Sequence, residues 1–342
     1  MIRPAHHLSA QPPVGTGAFR WTTLAEGARL TAFREHFLER PLIDEVEIYH
    51  VAPSPDSVVW DAPDLSPRQG PEPVLEYVEP GAQYLIWNAR SDLAQDARLR
   101  EALSELVDVR AFAADHPALG PVHPASTFSQ ARSAARGATP RSLPRARALL
   151  TGASARRPVR LATVDRWDAR LLADWLARRA AAMGLTIEVR TFHLSDLDWA
   201  QDADLCLLAE VGSADEQMAF WHAFHDPSLL FRRWLPAPLL GEVQGILDGF
   251  QLAESPQDRE ALMTQVEERV TSTGWVVLTF HRVVRRRHHP LMRDVIPDQF
   301  GRINYKRFWL DRPVTDDGIT VAMERKVGFC LLPSVVQLVW IA

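Results

Sequence analysis

The sequence predicts an α/β fold, and three observations carry the prediction. Residues 158–164 read as a strand, 167–183 as an amphipathic helix with Leu171, Leu172, Trp175, Leu176 and Met183 on one stripe, and 186–192 as an alternating strand. A further apolar run, Leu205 to Ala209, follows a short polar connection, so strand, helix and strand recur in the register of a βαβ unit. Upstream, the apolar run Tyr84-Leu85-Ile86-Trp87 leads into a helical pattern marked by Leu99, Leu103, Leu106 and Val107.

Along the chain, residues 14–51 alternate as strands do: Phe19 and Trp21 follow a Gly-Thr-Gly turn, then come Leu30, Ala32 and Phe33, then Val46, Ile48 and Tyr49. Two or three strands joined by turns are expected. Residues 52–73 gather Pro53, Pro55, Pro63, Pro67 and Pro71 and read as an irregular surface connection. From 113 to 142 periodicity is lost among Pro, Ser, Arg and Gly, and a long excursion over the surface is expected. In the βαβ unit Asp165 is the expected N-cap and Gly184 the residue past the helix end. Helical patterns follow at 218–224 and 239–250. A third helix opens on Ser255-Pro256-Gln257-Asp258, a capping-box-like start, and Gly274 closes it before a strand over 275–280.

Composition limits the function classes. The 342 residues carry 38 Lys+Arg against 43 Asp+Glu, a net charge of −5, with 46% hydrophobic residues, and this globular profile excludes a disulfide scaffold, a coiled coil and wholesale disorder. A negative balance argues against an obligate nucleic-acid binder. Cys206 and Cys330 each sit in an apolar run without metal or redox spacing and read as buried free thiols. Residues 1–13 lack an apolar h-region. The terminal apolar stretch, 327–342, is broken by Pro333 and shorter than the roughly 20 residues of a spanning helix, so a buried strand or sticky tail is expected and no membrane insertion.

Enzyme motifs fail. Arg20 stands where a dinucleotide fingerprint beginning at Gly15 needs glycine, and there is no GxxxxGK[ST], GxSxG or HExxH. His281, His288 and His289 beside Arg282, Arg285, Arg286 and Arg287 read as a solvated basic loop, with contact to an anionic ligand or polymer left open. No cofactor or metal is indicated. Of eleven Trp, most are expected in the core, while Trp87 and Trp221 are candidates for ligand contact.

The segment Pro13-Val14-Gly15-Thr16-Gly17-Ala18-Phe19-Arg20, with Arg40-Pro41 and Ile43-Asp44-Glu45-Val46 after it, resembles the signature of the oligopeptide- and dipeptide-binding family (family 5) of bacterial solute-binding proteins. Tyr84 to Asn88 with Arg98-Leu99-Arg100-Glu101-Ala102-Leu103 is similar to that family's next strand and helix. His123-Pro124-Ala125-Ser126 is similar to its short Pro/Ser segment, 158–192 to its second-lobe unit, and Gly301 to Leu310 to its closing strand and turn. The resemblance covers about residues 10–310. Within the family, Arg40-Pro41-Leu42-Ile43-Asp44-Glu45-Val46 resembles the solute-binding domain of SgrR-type transcriptional regulators.

The resemblance implies periplasmic-binding-protein-like type II α/β lobes, the second complete and the first truncated. Residues 1–80 would be a remnant of the first lobe, 81–283 the second lobe, 284–310 a return segment, and 311–342 an unassigned tail. It implies a non-enzymatic protein that binds a small molecule or peptide in an interlobe cleft, with DNA contacted only through an absent N-terminal domain. The alternative is a receptor delivering solute to an ABC permease. A cytoplasmic location is expected, or a periplasmic or cell-surface one if a signal peptide has been lost. Strands 84–88 and 278–283 are the expected hinge crossings. For the ligand, the resemblance points to the loop 204–215, where Glu210 and Asp215 either hold an ammonium group or are solvated. Trp87, Asn88 and Trp221 would line the cleft, and Arg90 and Arg282 offer guanidinium forks to a carboxylate or phosphate, or make surface salt bridges.

Overall fold

The computed structural model describes residues 17–24, 27–42, 44–50, 74–78, 81–119, 122–137, 139–152, 157–192, 202–209, 215–227, 229–287, 292–296, 305–307, 309–310 and 326–331. They belong to two compact units, one formed by Val78–Val283 and the other drawn from Met1–Tyr77 and Val284–Ala342.

The smaller unit starts with β1 (Phe19–Leu24) and β2 (Gly27–Ala32), a hairpin in which Phe19 faces Ala32 and Leu24 faces Gly27. β3 (Glu45–His50) pairs antiparallel with β2, with Val46 opposite Leu30, and Ala28 and Val46 are buried. The expectation of two or three strands here holds. β4 (Val74–Val78) precedes the passage into the larger unit.

In the larger unit β5 (Gln83–Trp87) is buried at every position. α1 (Ala97–Leu106) begins where the Asp96 carboxylate accepts the N–H groups of Arg98 at 2.9 Å and Leu99 at 3.3 Å, and it buries Leu99, Ala102, Leu103 and Leu106 at helical spacing. The stretch expected as a surface excursion is instead built of short, capped pieces: α2 (Val109–Asp115) on Asp108, β6 (His123–Pro124), α3 (Gln130–Arg136) on Ser129 and α4 (Leu143–Thr151) on Ser142. Seven-residue helices are too short to show periodicity. Buried polar groups hold the segment down, because Arg132 donates to both oxygens of the buried Glu267 at 2.6 and 2.8 Å, and Phe128 N–H donates to the same carboxylate at 2.8 Å.

The predicted βαβ unit is β7 (Val159–Val164), α5 (Trp167–Ala181) and β8 (Ile187–Phe192), followed by β9 (Leu205–Ala209). Gly184 takes a positive φ of 86° past the helix end, as expected. Asp165 is not the N-cap. Its N–H still donates to Phe192 O at 2.9 Å in continuation of the sheet, so the capping position falls on Arg166, and the Asp165 side chain pairs with Arg170 at 3.2 Å. α6 (Glu216–His225), α7 (Leu230–Trp234) and α8 (Ala237–Asp248) lead to α9 (Pro256–Ser272), where Ser255 accepts from Asp258 N–H at 3.1 Å and donates to its carboxylate at 2.6 Å. The strand expected over 275–280 is divided at Thr279 into β10 (Val276–Leu278) and β11 (Phe280–His281), since β10 pairs with β5 while β11 turns to pair with β6.

β12 (Val283–Arg287) pairs with β4; of the two expected hinge crossings, 84–88 lies wholly inside the larger unit, whereas 278–283 ends at its boundary, Val283. β13 (Met292–Arg293) pairs with β14 (Trp309–Leu310), and β15 (Lys326–Leu331) adds to β3 in parallel, which makes the start of the terminal apolar stretch a strand. The Pro-rich connection expected over 52–73, His288 and His289 lie outside the described residues.

The central sheet runs β10-β5-β9-β7-β8, with β9, β7 and β8 parallel and β5 antiparallel to both neighbours. Helices supply the apolar cover: Leu103 from α1, Leu172 and Leu176 from α5, Val266 and Val270 from α9. Phe224 stacks on Phe231 at 4.4 Å and Phe231 on Tyr84 at 4.9 Å, each fully buried ring contributing roughly 1.5–3 kcal/mol. Cys206 is a buried free thiol, as expected, and burial pushes its pKa up.

Candidate ligand-binding site

In an open sheet with parallel strands, ligands bind beyond the carboxyl ends of the strands, at the point where successive connections diverge. Here that point lies between β7 and β9. The connection from β7 leads outward through α5 to β8, and the chain then returns across β7 to β9. The register sets the ends: Gln83 faces Ala209 and Trp87 faces Leu205, while Thr163 faces Leu207. Val164, Ala209 and the amino end of β5 therefore share one end of the sheet, and Trp87 with Leu205 the other.

At the carboxyl end the chain from β7 enters α5 through Arg166 and Asp168, two side chains the sequence reading did not single out. Asp168 is almost fully buried in the first turn of α5. Arg166 Nε donates to its Oδ1 at 2.5 Å and Ala169 N–H to the same oxygen at 3.0 Å, while Arg282 Nε stands 3.4 Å from Oδ2. Oδ2 has no hydrogen bond among the described residues. Burial opposes the negative charge, but Arg166 and Arg282 outweigh it and hold the Asp168 carboxyl below the usual carboxylate range. Two guanidinium groups and one nearly buried carboxylate, one oxygen of which has no hydrogen bond among the described residues, form a charged cluster at this end of the sheet.

The opposite end is organised by Asp204, a fully buried carboxylate. Arg157 grips it with a fork, donating at 2.7 and 2.8 Å; Ser91 Oγ donates at 2.7 Å and Arg160 N–H at 2.8 Å. Burial again opposes the charge, and the Arg157 fork leads the interactions that drive its pKa far down. With every lone pair direction engaged, Asp204 ties β5, β7 and β9 together rather than offering itself to a ligand.

The sequence-predicted residues therefore divide into two groups. Trp87, Asn88 and Arg90 collect at the Asp204 end. Trp87 is fully buried in the sheet core and presents no surface to a solute. Asn88 Nδ2 donates to Ala203 O at 3.0 Å, and its Oδ1 accepts from Arg90 N–H at 3.1 Å, so its amide is used in a turn; the Arg90 side chain is exposed. Arg282, beside Asp168, is at the carboxyl end, about 15 Å away along a five-residue strand, and Asp215 lies at the start of α6. Arg282 joins Asp168, whereas Asp215 caps α6 by accepting Met218 N–H at 3.0 Å. Trp221, on α6, is half-buried and stacks on His225 at 4.1 Å. Glu210 lies outside the described residues. No group of three or more His, Cys, Asp or Glu among the described residues could hold a metal ion, and no described helix is long and apolar enough to cross a membrane.

The architecture is that of type II periplasmic-binding-protein-like α/β proteins, the class to which oligopeptide-binding proteins belong. It is similar to the oligopeptide-binding protein AppA of Bacillus subtilis, solved with a nonapeptide: TM-score 0.70, 13% identity, 88% of this chain and 68% of that one covered. It is also similar to the ABC transporter substrate binding protein CtaP of Listeria monocytogenes (TM-score 0.66, 12% identity, 91% and 72% covered) and to the murein tripeptide binding protein MppA of Escherichia coli (0.65, 12%, 86% and 64%). At these identities the likeness is one of fold. No family model matches the sequence, and no curated protein matches it.

Proposed function

We propose that the chain is a non-enzymatic solute-binding domain of the oligopeptide- and dipeptide-binding family, acting as the sensor of an SgrR-type transcriptional regulator in the cytoplasm. It binds a small solute, a peptide or a sugar phosphate, noncovalently. The observation that carries this reading is the likeness of fold over 88% of the chain to an oligopeptide-binding protein, together with a charged patch at the divergence point of its parallel strands. Arg166 and Arg282 would meet a carboxylate or phosphate, and Asp168 an ammonium or hydroxyl. The regulator is favoured by the resemblance of Arg40-Pro41-Leu42-Ile43-Asp44-Glu45-Val46 to the solute-binding domain of SgrR-type regulators. In this reading ligand binding biases a conformational equilibrium that a DNA-binding segment reports.

A thermal-shift screen of peptides, sugars and sugar phosphates tests the binding. A ligand at a hundred times its Kd stabilises by about 2.7 kcal/mol, a melting shift on the order of 5 °C for a chain of this size. Arg282→Ala and Asp168→Asn should each remove the shift. A folded protein unmoved by the whole panel at millimolar concentration overturns the reading. The second reading, a receptor for an ABC permease at the cell surface or in the periplasm, is favoured by the likeness to CtaP. The coding sequence upstream of Met1 separates the two, a winged helix-turn-helix meaning regulator and a signal peptide with a lipobox cysteine meaning receptor.

A further inference from the structure

A cavity of about 850 Å³ lies along β10, the edge strand of the central sheet, with α9 and the chain between α3 and α4 as its other walls. A second cavity of about 300 Å³ adjoins it, and both are lined by Arg141, Thr139, Pro140 and Leu278. The larger one is also lined by Arg136 and Arg269, each already paired, with Glu268 at 3.1 Å and with Glu242 respectively.

Arg141 differs from both. Its guanidinium is half-buried and makes no hydrogen bond or ion pair among the described residues. The acids that act on it from a distance, Glu105 and Asp108, are committed elsewhere. Glu105 accepts Ser142 N–H at 2.7 Å and stands 3.7 Å from Arg145, and Asp108 caps α2 through Ala111 N–H at 3.1 Å and pairs with Arg179 at 3.5 Å. An arginine cannot discharge itself, so its donors remain without a protein partner among the described residues beside the cavity. A second group on the same cavity is in the same condition: Ser126 Oγ is buried and has no hydrogen-bond partner among the described residues.

We propose that this cavity is a binding site for a small ligand carrying an oxyanion, a carboxylate or a phosphate, held by the Arg141 fork with Ser126 as a further donor. A planar guanidinium matches either oxyanion in a bidentate manner, and 850 Å³ admits the remainder of a small molecule. The site lies within the larger unit, away from Asp168 and Arg282, and does not depend on the function proposed above.

The test is a calorimetric and thermal-shift titration of the full chain in chloride buffer with inorganic phosphate, with succinate and with glycerol as the neutral control. Phosphate or succinate should saturate and raise the melting temperature, and glycerol should not. Arg141→Met should weaken the binding tenfold or more, Ser126→Ala less, and Arg190→Ala, exposed on the opposite edge strand of the sheet, not at all. If Arg141→Met does not fold, Arg141→Lys serves in its place, keeping the charge without the fork and binding more weakly than the wild type. Preference for phosphate names a phosphate ester as ligand, and preference for succinate a carboxylate. Saturation by neither anion at millimolar concentration, or unchanged binding by the Arg141 variant that folds, overturns the proposal.

Discussion

Asp204 and His281 show how single buried polar groups set the conditions under which this chain stays folded. Replacing Asp204 by Asn keeps the shape but leaves Arg157 facing a neutral amide. Breaking such a pair typically costs 3–5 kcal/mol, and because Arg157 is 34% exposed the expected loss is at the low end, about 3 kcal/mol, read from urea denaturation. The Asp204 carboxyl titrates far below its ordinary value, so its contribution is complete above about pH 4 and is lost as the pH falls towards the folded-state value. His281 acts earlier. Its Nδ1 donates to Gly81 O at 2.7 Å, and its Nε2 lies 2.8 Å from Ser133 Oγ, a hydroxyl whose single hydrogen also reaches Thr127 O at 3.0 Å. Burial lowers its pKa, with the cross-strand His123 acting in the same direction and the Gly81 carbonyl against. Below the ordinary value of 6.5 the unfolded chain takes up a proton that the folded chain refuses, so stability falls as pH drops from 7 to 5. His281→Gln should flatten that slope of the urea midpoint, and an unchanged slope would sink the assignment.

Long elements whose ends carry their own chemistry were legible in the sequence, and short ones held by distant partners were not. α9 is announced by Ser255, Pro256 and Asp258 and closed by Gly274, all within a few residues, and the structure places each of them in that role. Ser255→Ala should destabilise by about 1 kcal/mol. Gly274→Ala should cost at least as much, because φ is 70° there and an added Cβ would meet the Cβ of Arg100 at 3.3 Å. Melting curves of the two variants measure both. α3 carries end signals too, Ser129 at its start and Gly137 with a φ of 78° at its end, but seven residues are too few to display a periodic apolar face. Its seven residues are fixed by Ser129 and by the Arg132 fork on Glu267, a contact across 135 positions that no local pattern reveals. Asp165 misled for a related reason: it has the right side chain for a cap, but the sheet extends one residue further and claims its backbone.

For the whole molecule, the α/β class was readable because β5 and β9 are apolar runs, β8 alternates and α5 buries one stripe, while the charged cluster at the carboxyl end was not. Arg282, singled out for its charge, stands 3.4 Å from Asp168. Its partner Asp168 and the neighbouring Arg166 look like ordinary helix-start residues until β11 is brought beside α5, and Trp87, chosen as a cleft aromatic, is a core residue because β5 lies inside the sheet rather than at its rim. The same long-range arrangement implies something about autonomy. Among the described residues, every member of the main hydrophobic core lies between Ala82 and Phe280, inside the larger unit. Its two ends also lie side by side, since His281 hydrogen-bonds to Gly81. A polypeptide of residues 78–283 should therefore fold alone, with a single cooperative transition and the far-ultraviolet signature of a mixed α/β protein, because cutting at the two passages removes no core side chain and severs only strands that pair outside this sheet. Circular dichroism and urea unfolding of that fragment decide it. A fragment that is unfolded or melts without cooperativity would mean that the β4 and β12 pairing, and not the packed sheet, holds the unit closed.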